Sequence, residues 1–145
     1  MGSEVVRAID AADGLHLAAV IDIGDPLDRL EGSGVQVAVD FTTPDAVMTT
    51  LRHCISHGIH AVVGTTGFDE DRLDEVRSML ADHPGVGVVI APNFALGAVL
   101  LMRFAREASP YFESVEVIEM HHPDKLDAPS GTATHTAEAI AAARA

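Results

Sequence analysis

The sequence predicts an α/β chain: a parallel β-sheet with helices on both faces. Three observations predict it. Short apolar runs rich in β-branched residues alternate with helix-period segments along the chain. Gly, Pro or Asp bounds the first four runs, as expected where strands end in turns. The resulting β-α-β-α rhythm favours parallel pairing, because each strand must return across the sheet through a helix. The chain has 145 residues, 48% of them hydrophobic and 4% aromatic, so one domain-sized core must be built mostly from Val, Ile, Leu and Ala.

The elements follow in order. Residues 1–14, MGSEVVRAIDAADG, read as a helix with Val5, Val6 and Ile9 on one face. LHLAAVID (15–22) reads as the first strand and VQVAVDF (35–41) as the second. The helix over 43–58 has Thr43 as its cap, Pro44 at its first position and Gly58 as its stop. IHAVVG (59–64) is the third strand. Residues 69–83 form a helix with acids in the first turn and Leu73, Val76, Met79 and Leu80 at helical spacing. VGVVIA (86–91) is the fourth strand, and the largely apolar 93–108 is expected to be a buried helix. SVEVIEM (114–120) reads as a fifth strand, and the alanine-rich 130–145 closes the chain as a helix.

Composition narrows the function classes. A formal net charge of -13 repels phosphate backbones and argues against nucleic-acid binding. No basic amphipathic helix suits a membrane surface, and no apolar run approaches the roughly twenty residues that span a bilayer. No signal peptide is visible at the start, so the expected location is cytoplasmic. Cys54 is the only cysteine and reads as a small buried helix residue rather than a catalytic thiol.

In an open parallel sheet, ligands bind beyond the carboxyl ends of the strands. The first strand is followed by Asp22, the second by Phe41, Thr42 and Thr43, the third by Gly64, Thr65, Thr66, Gly67 and Phe68, and the fourth by Ala91, Pro92, Asn93 and Phe94. A carboxylate in the position of Asp22 can accept both ribose hydroxyls of an adenosine. Glycines let backbone approach phosphate or nicotinamide, and Thr65 and Thr66 add hydroxyls. Each feature alone is ordinary turn chemistry; their joint arrival at strand ends points to a dinucleotide. The glycine-rich turn that opens such a unit is missing, and Gly2 reads as its last glycine.

HHPDKLDAPSGT (121–132) is the densest polar stretch. Ser130, Gly131 and Thr132 open a helix, where exposed N–H groups and two hydroxyls suit a carboxylate or phosphate. Lys125 adds a charge and a proton. His121 and His122 leave a strand end with side chains that should diverge. Three readings stand: turn and cap chemistry by Asp127, Pro129 and Ser130; anion-handling acid–base catalysis; or a metal site drawn from His121, His122, His135, Asp124 and Asp127. Adjacent histidines lack the helical spacing of H-E-x-x-H.

EMHHPDKLDAPSGTA (119–133) closely resembles the Glu-x-His-His-x-x-Lys-x-Asp-Ala-Pro-Ser-Gly-Thr-Ala signature of the 4-hydroxy-tetrahydrodipicolinate reductase (dihydrodipicolinate reductase) family. VVGTTGF and APNFALGA resemble that family's cofactor segments, and VDFTTPDAV its third-strand segment. The resemblance runs over essentially the whole chain. It implies an NAD(P)-dependent oxidoreductase of lysine and diaminopimelate biosynthesis that reduces a small anionic dicarboxylate. It implies His121 and Lys125 as catalytic, His122, Ser130, Gly131 and Thr132 as substrate-binding, and Asp22, Phe41, Gly64, Thr65, Thr66, Ala91, Pro92, Asn93 and Phe94 as cofactor-binding residues, with no metal. Asp22, followed by Ile23 rather than an arginine, favours NADH, with some use of NADPH.

The architecture that the resemblance implies is α/β: a Rossmann-like doubly wound parallel sheet lacking its first strand (1–94, partial dinucleotide-binding domain), then the start of a second α+β substrate-binding and tetramerisation domain (95–145). The resemblance thus implies a chain truncated at both ends, a homotetramer when complete, and poor stability and activity as it stands. Two alternatives remain: another two-domain NAD(P)-dependent oxidoreductase, or an inactive remnant.

Overall fold

The computed structural model describes residues 1–91, 93–121 and 128–145. The chain divides into two compact units, residues 1–91 and residues 92–145. The first unit contains helix α1 (Gly2–Asp10), a 3-10 turn (Leu27–Leu30), strand β1 (Val37–Asp40), helix α2 (Val47–Ser56), strand β2 (His60–Val63), helix α3 (Glu70–Asp82) and strand β3 (Val88–Ile90). The second contains helix α4 (Leu96–Ala108), a 3-10 turn (Ser109–Tyr111) and helix α5 (Gly131–Arg144).

The sheet is parallel, in the order β1-β2-β3. Its register aligns Val39 with Val62 and Val62 with Val89. The main core lies on the α2 and α3 side. Val47, Met48, Leu51 and Ile55 pack with Ala61, Val63 and Val76. A smaller cluster of Leu30, Cys54 and Ile59 is joined by Ala19, Ile21, Leu27, Val35 and Ala38. The parallel sheet with flanking helices is what the periodicity predicts, and it is the partial Rossmann sheet that the resemblance implies.

Local chemistry sets most helix limits. Asp69 caps α3, its Oδ1 accepting from the Arg72 N–H at 2.9 Å. Ser130 caps α5, its Oγ accepting from Ala133 at 3.2 Å. After α2 the backbone turns out at Gly58, whose φ of +74° suits a residue without Cβ. At its other end α2 departs from expectation. Thr43 starts a turn, its carbonyl accepting from Ala46 and Val47, but the regular helix begins at Val47 and its N-cap is Ala46.

Three other expectations need correction. Residues 15–22 and 114–120 have strand-like sequences, yet neither is a strand, since β1, β2 and β3 are the only described strands. An extended segment becomes a strand only when its N–H and C=O groups ladder with a neighbour, and the described residues give these two none. The second unit is therefore helical. Helix α4, expected to be buried, has no buried residue; Leu96, Leu101 and Phe104 are exposed. Its described packing is against α5 and the 109–111 turn, which cover only part of a largely apolar helix.

Candidate functional site

The first cluster sits at the carboxyl ends of the strands. Asp40, the last residue of β1, is buried and organises the loops there. Its Oδ1 accepts from the Thr42 N–H and hydroxyl, both at 2.8 Å, and from the Thr65 hydroxyl at 2.9 Å. The Oδ2 atom is buried with no hydrogen-bond partner among the described residues. Asp40 was not among the candidates read from sequence; the available signal was an acid closing an otherwise apolar strand. Thr65 is buried, so its hydroxyl proton is directed inward to Asp40.

Two glycines in the β2–α3 loop are required by their neighbours. A Cβ on Gly64 would lie 2.7 Å from Cδ1 and Cζ of Phe41, inside the space of the ring. Gly67 has φ +90°, and a Cβ there would lie 2.8 Å from the Pro44 Cβ. Arg72 ties this loop to the one after β1, donating from Nη1 to Pro44 O at 2.8 Å and to Gly67 O at 2.9 Å. Ala91 continues the β3 pairing, its N–H donating to Val63 O at 3.0 Å. The structure thus brings Phe41, Gly64, Thr65 and Ala91 to one edge of the sheet.

Asp22 is exposed in a tight turn. Its Oδ1 accepts from the Ile23 N–H at 2.7 Å, and its own N–H donates to Asp25 at 3.0 Å. That bond and the Arg29 guanidinium hold the Asp25 carboxyl below its ordinary range. A cavity of about 180 Å³ runs between α1, residues 17–21 and β1, reaching Asp40 and Thr42. It is below the range of about 300–1,000 Å³ typical of ligand pockets.

The second cluster lies in the second unit, at the N-terminus of α5. Glu119 accepts from the Ser130 N–H through Oε1 at 2.7 Å and pairs with His121 Nδ1 through Oε2 at 3.2 Å. Asn93 Nδ2 donates to the Thr132 hydroxyl at 3.3 Å, and Asn93 Oδ1 accepts from the Ala95 N–H at 2.8 Å. Residues 93, 119, 121 and 130–132 are therefore tied into one polar group. Glu119 is the member that sequence reading missed, because its alternation with Val117 reads as plain strand patterning. Ser130 is buried, and with its Oγ engaged as an acceptor the O–H remains able to donate. Phe94 is half exposed. Pro92, His122, Asp124, Lys125 and Asp127 lie outside the described residues. Of the residues proposed for a metal, His121 and His135 are described, and neither joins a three-ligand grouping among the described residues.

Comparison with known proteins decides the family. Residues 1–94 match the family model described as dihydrodipicolinate reductase, N-terminus, and residues 97–145 match dihydrodipicolinate reductase, C-terminus. The chain belongs to the dihydrodipicolinate reductase family. It is 62% identical over 144 residues to the 4-hydroxy-tetrahydrodipicolinate reductase of Corynebacterium efficiens and 59% identical to that of Streptomyces avermitilis, in each case covering 99% of this chain and 58% of the relative. It is also similar to the solved structure of a dipicolinate-bound dihydrodipicolinate reductase from Paenisporosarcina sp. TG-14, with a TM-score of 0.74 and 37% identity over 99% of this chain and 62% of that one. The chain thus spans less than two thirds of the length of these family members.

Proposed function

We propose that this chain, at the full length of its relatives, reduces 4-hydroxy-tetrahydrodipicolinate to tetrahydrodipicolinate in lysine and diaminopimelate biosynthesis, with NADH preferred and some use of NADPH. The observation that carries this reading is the polar group at the start of α5, joined in sequence to the family's His-His-x-x-Lys segment. The overall change takes in one hydride and one proton and releases one water.

The strand-end loops suit a dinucleotide: an exposed carboxylate at Asp22 for ribose hydroxyls, and glycine backbone at Gly64 and Gly67 where close approach is needed. When bound, the nicotinamide supplies the hydride. The chain's own groups do the rest. The N-terminus of α5, with Ser130, Gly131 and Thr132, holds a substrate carboxylate. Lys125 gives the proton to the carbon that would otherwise become carbanion-like, and His121, oriented by Glu119, stabilises or relays it. His122 adds a substrate contact. Asp22 disfavours the 2′-phosphate of NADPH by charge repulsion. The active form is a homotetramer in the cytoplasm, acting on a small dicarboxylate rather than on nucleic acid or membrane.

The roles of Lys125 and His121 are tested by steady-state kinetics on a version extended at both ends with the homologous segments of a relative. Lys125→Ala and His121→Ala should each lower kcat by about a hundredfold or more, the usual range for a lost general acid, with a much smaller change in KM. An unchanged kcat removes that residue from the mechanism. The cofactor reading fails if kcat/KM strongly favours NADPH.

A further inference from the structure

We propose that Glu31, His53 and His57 form a structural binding site for a zinc-class divalent ion, at the edge of the sheet opposite the strand-end cluster. One ligand atom from each of the three lies within 4.8 Å of the other two. Helix α2 supplies His53, and His57, four residues on, is its C-cap residue. Glu31 follows the Leu27–Leu30 turn.

The surroundings of these side chains suit a shared cation. His57 Nδ1 is 2.8 Å from the His53 carbonyl oxygen, which can only accept, so Nδ1 carries the proton. Its other ring nitrogen, Nε2, faces Glu31 Oε1 at 3.1 Å, the side from which a shared ion would be held. The backbone bond that fixes the tautomer is also the support usually found behind a metal-bound histidine. A second observation is independent of this pair. His53 Nε2 is shielded from solvent and has no hydrogen-bond partner among the described residues. Its ring stacks on His57 with centroids 4.2 Å apart.

Two imidazoles and one carboxylate suit zinc and its neighbours, with the remaining position open to water. The net charge of -13 raises the local concentration of divalent cations. Topology separates this site from the proposed chemistry. Helix α2 starts beyond the carboxyl end of β1 and ends before β2 begins, so His53 and His57 lie toward the amino ends of the strands. An ion here would clamp the 27–31 turn to the end of α2, over the cluster of Leu30, Cys54 and Ile59. The inference does not depend on the reductase reading.

The test is a titration of tag-free, chelator-treated protein with zinc chloride, followed by calorimetry and thermal melting, on the 145-residue chain or its extended version. One zinc should bind per chain, and a hundredfold excess over Kd should raise Tm by roughly 5 °C or more. His53→Ala and His57→Ala should each weaken binding by about tenfold or more, and Glu31→Gln, which keeps the shape, should weaken it measurably. His16→Ala should have no effect. Absence of saturable one-to-one binding overturns the proposal, as does binding that the Glu31 and His53 variants leave intact.

Discussion

Asp40 and Gly64 show how single residues support a site without being offered to a ligand. Asp40 gathers three donors from two loops onto one buried oxygen. Asp40→Asn should cost about 2 kcal/mol, the scale of hydrogen bonds to a buried charged group, read as a fall in the denaturant midpoint. Gly64→Ala should cost about 1–3 kcal/mol by overpacking against Phe41. Pairing it with Phe41→Leu should recover part of that loss in a double-mutant cycle; additive losses would mean the ring is not the obstacle. Cys54 makes a separate prediction. Burial, with a smaller effect from the Asp40 carboxylate, pushes its thiol up to about 11. The folded thiol is therefore neutral at pH 8 and should resist disulfide reagents until the chain opens. Its contribution to stability is complete below the ordinary thiol range and is lost as pH rises through about 11.

The capped helices are where sequence and structure agree most closely. Ser130 stands where the sequence reads as a cap and Asp69 opens the acidic first turn read for α3; each accepts a backbone N–H from three residues on. Asp69→Ala and Ser130→Ala should each lower stability by about 1 kcal/mol, with Gly in place of Ala costing less. Only Ser130→Ala should also raise KM, because only that cap belongs to the proposed carboxylate site. The legible elements are those whose signals are local: the Ser130 cap, the acids that open α3, the Gly58 stop, the helical spacing of Leu73 and Val76. Strand pairing is not local. Residues 15–22 and 114–120 have the composition of strands, but composition cannot show whether a neighbour is present to complete the ladder. The same limit hid Asp40 and Glu119, whose importance comes from partners 25 and 11 residues away. The His-His-x-x-Lys and Ser-Gly-Thr pattern was legible because the family signature is contiguous.

At the scale of the whole molecule, exposed apolar surface is the dominant feature. Val37, Val39 and Val89 leave the sheet open on one side, and Leu101, Phe104, Ile118 and Met120 are exposed in the second unit. Surface of this kind favours association. The 145-residue chain should therefore aggregate on heating or melt with low cooperativity, while extension at both ends with a relative's homologous segments should give a sharp transition at higher temperature. Scattering-monitored melts of the two forms check this; equal behaviour would mean that the exposed patches are harmless.

The most direct measurement is turnover: NADH oxidation with enzymatically generated 4-hydroxy-tetrahydrodipicolinate, using the 145-residue chain beside the extended version. Substrate-dependent oxidation by the extended version, with little or none from the shorter chain, is the predicted result. No oxidation of NADH or NADPH by a folded extended protein would contradict the proposed reaction.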